Sequence, residues 1–346
     1  MSLDSYLRAA PKAELHVHLE GTIAPATALD LAARNGLTLP ATDEAGMRAL
    51  FAYRDFNHFL DTFSLVANCL RTAEDYEQIV CDYAAALARQ NARYAEANFA
   101  PARHADNGVP HEVWFGGLTR GRARARAEFG VEINWIFSII RHLPDRDRHA
   151  DYTTAVAIEG RADGVVALGL AGGEEGHPPE PFAPWFDRAR AAGLHSAPHA
   201  GETVGPTSIW GAVRALGAER IAHGVRAIED PSLVAHLATQ QIALDIVPYS
   251  NLRLGIYPSL AAHPLPRLHA AGVPLTVGSD DPPLFDTTLN DDTALLAEPF
   301  GLDRAACDTI LLDGIRHSFL PAARRQALEA TFRAELTTLA ATHLAD

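Results

Sequence analysis

The stretch AELHVHLEGT, residues 13 to 22, decides the fold. It reads as a buried strand, yet it carries two histidines one residue apart. Side chains alternate along a strand, so His16 and His18 point to one side while Leu15, Val17 and Leu19 point to the other. Two imidazoles side by side on one face need a shared partner, and the rest of the chain must supply it.

Working outward, short apolar and β-branched segments recur between longer Ala-, Leu- and Arg-rich stretches with helical spacing. That is the pattern of a parallel sheet with crossover helices. Eight strands are expected, at residues 14–21, 92–101, 131–140, 164–172, 194–202, 220–225, 241–251 and 273–281. Eight strands with intervening helices over about 250 residues fit an α/β (β/α)8 TIM barrel. The gap of residues 22–91 is too long for one helix with connections of about 2 to 6 residues. It predicts a helical insertion after the first strand, placed as a lid over the barrel mouth. From about residue 290 to 346 the chain reads as helical. No linker, repeat or low-complexity segment divides it, so residues 1–346 are expected to form a single domain.

The 346 residues carry a formal net charge of -14, which argues against nucleic acid, whose binding depends on basic residues that neutralise phosphates. No apolar run approaches a membrane span, and the first residues lack the continuous apolar stretch of a secretory signal, so a cytoplasmic protein is expected. Cys69, Cys81 and Cys307 are odd in number and widely spaced, which suggests neither disulfides nor a thiolate metal site. Lys12 is the only lysine. Its position before the first strand predicts a solvated side chain, and its solitude excludes Schiff-base, P-loop and lysine-bridged two-metal chemistry elsewhere.

In barrels of this kind the active site lies at the C-terminal ends of the strands. Polar residues that strand propensity would not select gather at those ends. They are His16, His18 and Glu20 on the first strand, His199 and Glu202 on the fifth, His223 on the sixth, Ser250 and Asn251 on the seventh, and Asp280 and Asp281 on the eighth. A lone strand histidine is ordinarily a satisfied core residue, and His104, His111 and His263 are read that way. Asp280 and Asp281 could merely cap the next turn. The conjunction points elsewhere. Three imidazoles and a carboxylate suit a borderline divalent ion, above all zinc, and His16, His18, His199 and Asp280 can converge because the first, fifth and eighth strands open at one mouth. Zinc lowers the pKa of a bound water to about 7, which makes a hydrolytic nucleophile available at neutral pH. One zinc per chain is expected.

PKAELHVHLEGT (11–22), SAPHAGE (196–202) followed by TVGPTSIW, GAERIAHGV (217–225) and VGSDDPPLF (277–285) together resemble the adenosine deaminase family, in order and on the corresponding strands. The resemblance implies a zinc-dependent barrel that hydrolyses the 6-amino group of purines, with His16, His18, His199 and Asp280 as ligands. It also implies that Glu202 protonates N1 of the ring, a contribution typically worth about 10² to 10⁴ in rate. His223 would orient the attacking water and take its proton or stabilise the developing charge. Asp281 would meet N7, and the Gly172 N–H would meet N3. The small-molecule substrate is then a 6-aminopurine.

The sequence departs from the family pattern in two places. HLEG stands where adenosine-preferring members have HLDG, so Glu20 alters the contact with the ribose 5′-hydroxyl. GLAGGE (169–174) stands where DLAGDE is common, so Gly169 and Gly173 are expected to clear space beside the ribose. EEGHPPEPF (174–182) is similar to the adenine deaminase branch, whereas GETVGPTSIW (201–210) is similar to nucleoside-acting members, including those acting on 6-aminodeoxyfutalosine. Adenosine, an extended analogue of it and adenine remain as substrates, alongside an amidohydrolase acting on a different ring and a catalytically dead metal-binding paralogue.

Overall fold

A computed structural model describes residues 2–344. Nine parallel segments make up the barrel wall: β1 (Lys12–His18), β2 (Ala92–Phe99), β3 (Glu132–Ile140), β4 (Val165–Ala171), β5 (His195–Ser196), β6 (His199–Ala200), β7 (Arg220–His223), β8 (Ala243–Ile246) and β9 (Leu275–Val277). They pair in chain order, β1 to β5 in one sheet and β6 to β9 in the other. The expected fifth strand is β5 and β6 together. Ala197 and Pro198 interrupt it, since proline has no N–H to give to a ladder. The wall closes where Val17 bridges Asp280: the His18 N–H donates to the Asp280 carbonyl at 2.9 Å and the Asp280 N–H to the His16 carbonyl at 3.1 Å. The eightfold barrel therefore stands, with the strand lengths trimmed.

The first crossover carries four helices, Pro25–Arg34, Glu44–Leu50, Phe56–Ala67 and Ala73–Arg89. Thr72 and Asp75 form a reciprocal capping box that starts the last of these, and Asp55 caps the helix at Phe56 by accepting from the His58 N–H. The Phe56–Ala67 helix overhangs the mouth, where Phe59 and Phe63 pack with Leu284 and Phe285. Beyond β9 the helices Arg304–Arg316 and Ala322–His343 finish the shell. Among the described residues no helix is long and apolar enough to cross a membrane.

Two expectations about the strands need correction. Ser250 and Asn251 do not end a strand: β8 stops at Ile246 and Pro248 opens a short helix over Pro248–Arg253, as proline at a first helical position favours. Lys12 is not solvated. It is 1% exposed, and its ammonium donates to the carbonyls of Arg8, Ala10 and Gln90 at 3.1, 2.7 and 3.3 Å. Those carbonyls lie at the C-terminal ends of the Leu3–Ala9 and Ala73–Arg89 helices, where carbonyls lack helical partners and the dipole attracts a cation.

Low in the barrel, Arg220 donates to Asp245 through Nε and to Glu96 through Nη2, each at 2.6 Å, and to the His317 carbonyl through Nη1 at 2.9 Å. Tyr94 completes Glu96 and Thr276 completes Asp245, at 2.7 Å each. This buried polar floor supports the site above it.

Candidate active site

At the mouth, β1 brings His16 and His18 together with His199 of β6, His223 of β7 and Asp280 just past β9. Nε2 of both His16 and His18 lies 3.4 Å from Asp280 Oδ1, and the His18 and His199 Nε2 atoms are 3.1 Å apart. His16 Nδ1 is 2.8 Å from the Asp245 carbonyl. A carbonyl can only accept, so Nδ1 carries the proton and the Nε2 lone pair faces the cluster. Such an outer hydrogen bond fixes the tautomer of a metal-ligating histidine. His16 Nε2 is buried with no hydrogen-bond partner. The donor atoms of His16, His18 and His199 form one close group and those of His16, His223 and Asp280 another, and with the orphaned His16 nitrogen shared by both they fit a zinc-type ion in composition.

Two of these residues sit in a backbone conformation that side chains avoid. His223 has φ +65° and Asp280 φ +62°, the left-handed region. Holding a non-glycine residue there costs of order 1 to 3 kcal/mol, and such strain concentrates at functional sites. Here the left-handed turn at each strand end turns the side chain back over the barrel.

Glu202 follows β6 and is 6% exposed, with its Oε2 3.7 Å from His223 Nε2. Burial, then the charges of Asp280 and Glu174, push its carboxyl well above the usual range, while Arg141 opposes the rise. Burial holds the His223 imidazole well below its ordinary value, with His16 adding to the effect. A carboxyl biased toward its protonated form thus stands beside an imidazole biased toward its neutral form. Asp281 lines the same cleft, pushed up by burial and then by Asp280, and its Oδ1 is buried without a partner.

The loop that carries Glu202 is built around a residue the sequence reading passed over. Glu174, 4% exposed, accepts the backbone N–H groups of Gly201, Glu202, Thr203 and Val204 at 2.8 to 3.0 Å, and the Ser208 hydroxyl at 2.6 Å. One carboxylate thus organises four consecutive amides. It lies 27 to 30 residues away in the chain, and nothing in its local sequence signals the contact.

Gly172 also lines the cleft, at φ +88°, and a Cβ there would lie 2.4 Å from His142 Nδ1. A Cβ at Gly173 would meet nothing within 4 Å, but Gly173 is not among the residues that line the cleft. Gly169 does not clear room for a ligand: a Cβ there would lie 2.3 Å from Ser138 Oγ, so the glycine serves the close packing of β3 against β4. Glu20 lines the cleft too, but its Oε1 is occupied by the Ala100 N–H at 3.0 Å and by His104 Nε2 at 3.1 Å. Burial raises its carboxyl, yet the His104 contact and the Ala100 N–H outweigh this and hold it below the ordinary value. His104, read from sequence as an ordinary histidine, is therefore the partner that orients Glu20. The helix Phe56–Ala67 supplies Phe56, Phe59, Leu60 and Phe63 to the outer wall of the cleft, and Arg103 and His142 join them.

A raised carboxyl, a lowered imidazole and a cluster of candidate metal donors at the C-terminal mouth of an α/β barrel are the components of a barrel hydrolase. The adenosine deaminase family model matches residues 11–334, and the chain belongs to that family and is an aminohydrolase. It is 39% identical over 320 residues to an aminodeoxyfutalosine deaminase from Streptomyces coelicolor, covering 92% of this chain and 83% of that protein. It is 40% identical over 324 residues to an adenine deaminase from Cupriavidus necator, covering 94% and 92%. Among solved structures, an amidohydrolase from Burkhoderia ambifaria with bound zinc superposes with a TM-score of 0.89 at 26% identity, covering 99% of this chain and 95% of that one.

Proposed function

We propose that this protein hydrolyses the 6-amino group of a purine nucleoside and releases ammonia. The observation that carries the reading is the meeting of a His16, His18 and His199 donor group, with Asp280 beside His16 and His18, and the buried, raised carboxyl of Glu202 in the same cleft. One zinc ion per chain, held by those four residues, would polarise the site and activate water for attack on C6.

The protein's own groups do the rest. Attack at C6 pushes electron density onto N1, and Glu202 delivers a proton there, burial favouring the protonated form of its carboxyl. His223, neutral and 3.7 Å away, orients the attacking water and accepts its proton. Asp281 shares a hydrogen with N7. The Gly172 N–H meets N3, and glycine is required there by its φ of +88° and by His142, which a Cβ would meet at 2.4 Å. His18 borders the ring as well as the ion, and Glu20, fixed by His104, faces the sugar.

A nucleoside is favoured over the free base by the GETVGPTSIW stretch. Adenosine, or an analogue extended at the 5′ position such as 6-aminodeoxyfutalosine, is the expected substrate of this soluble, small-molecule enzyme. The test is ammonia release from adenosine, 2′-deoxyadenosine, adenine and 6-aminodeoxyfutalosine, together with elemental analysis of the purified protein. A higher kcat/KM for adenine than for every nucleoside would move the protein to the adenine deaminase branch, and two tightly held metals per chain would overturn the ligand assignment.

A further inference from the structure

The cleft contains a cation that makes no ion pair among the described residues, with Glu20 and Asp106 acting on it only from a distance. Arg103, half-buried on the Pro101–Asp106 helix that follows β2, lines the cleft opposite the catalytic carboxylates. Its Nη1 donates to Ser64 Oγ at 2.7 Å, which ties it to the overhanging helix, and its guanidinium lies 5.6 Å from the Phe63 ring. Among the described residues it forms no ion pair, and its Nε is buried without a partner. The carboxylates around it are engaged elsewhere. Glu20 is held by His104 and the Ala100 N–H, and Asp106 pairs with Arg148 and His149 at 2.9 and 2.7 Å. His142, the nearby imidazole, is pulled down to about 4 by burial, with Arg103 adding to the effect, so it is neutral and brings no second charge.

The rest of that wall is apolar, with Phe56, Phe59, Leu60, Phe63, Phe99 and Ile140. Leaving a buried charge without a partner is costly, and a protein gains from it only when a partner arrives. A guanidinium fork matches a carboxylate or phosphate better than any neutral group.

We infer that Arg103 is the subsite for an anionic group, a carboxylate or a phosphate, on the part of the substrate remote from the 6-amino group. This rests on the purine reading proposed above and deepens it, because the ring must lie at the His16 to Asp280 cluster while the remainder extends toward the overhanging helix. The aromatic wall beside Arg103 suits a flat hydrophobic spacer between sugar and anion.

The experiment compares wild type with Arg103→Gln and Arg103→Lys on three substrates: adenosine, which is neutral; adenosine 5′-monophosphate, which carries a phosphate; and 6-aminodeoxyfutalosine, which carries an aryl carboxylate. A hydrogen bond to a charged group is worth about 1.5 to 3 kcal/mol, so Arg103→Gln should lower kcat/KM for the preferred anionic substrate by about 10- to 150-fold. The loss should fall on KM rather than kcat, since the contact is made equally in ground and transition states. Adenosine turnover should stay within about threefold, which also shows that the variant folds, and Arg103→Lys should recover part of the loss. Whichever anionic substrate loses more identifies the group. An equal loss on all three substrates, or none on either anionic one, overturns the subsite while leaving the deaminase reading intact. No ammonia from any purine with the wild-type protein sinks both.

Discussion

The floor and the mouth of this barrel are both lined with buried ionisable groups, and they are finished in opposite ways. On the floor, the Arg220 donors, the Glu96 and Asp245 carboxylates and the hydroxyls of Tyr94 and Thr276 complete one another. At the mouth, His16 Nε2, His199 Nδ1, His223 Nδ1 and Asp281 Oδ1 are buried with no partner. Burial and charge alone would not separate the two regions, but hydrogen-bond completion does. A network that closes on itself holds the fold, whereas the groups at the mouth keep donors and lone pairs free of protein partners.

The difference can be broken by substitution. The largest effect is expected from Glu202→Gln at the mouth. If Glu202 delivers the N1 proton, as proposed, an amide cannot replace it, and kcat for ammonia release should fall by about 10² to 10⁴. KM should change little and the thermal midpoint should hold or rise, because no closed network is cut. A variant that unfolded at lower temperature while keeping its kcat would reverse the assignment of the two regions.

Arg220→Met on the floor should do the converse. Removing the cation leaves Glu96 and Asp245 buried and uncompensated, at a cost of about 3 to 5 kcal/mol in urea unfolding, while the molecules that remain folded keep their metal content. Loss of turnover without loss of stability would show that the floor acts on chemistry directly. The smallest expected effect is Thr276→Val. It deprives Asp245 of one donor and should cost about 1 to 2 kcal/mol with kcat unchanged. A larger penalty would sharpen the comparison by showing that the floor is cooperative.

Features with a strict period were readable before any coordinates. The eight strands, their order and the inward aim of His16 and His18 follow from apolar runs and two-residue alternation, and the polar strand ends marked the mouth. Features that depend on what meets across the fold were not readable. Glu174 serves amides some 30 residues downstream, and Arg103 owes its meaning to Ser64 and Phe63 on a separate helix. His104 looks ordinary until Glu20 is seen beside it. Lys12 looked solvated because the convergence of two helix ends is a three-dimensional fact. Gly169 and Gly173 are alike in sequence, yet one packs strand on strand and the other faces open space.

The burial of Lys12 has a practical consequence for anyone handling this protein. The chain has no other lysine, and this one is capped by three carbonyls at the end of the barrel away from the chemistry. Acylating reagents therefore find no lysine on the folded surface, and the amine becomes reactive only when the two helix ends part from the start of β1. Its labelling rate is a clock for opening of the barrel's lower rim. Coupling through lysine to a bead or sensor chip would fix unfolded molecules in preference to native ones.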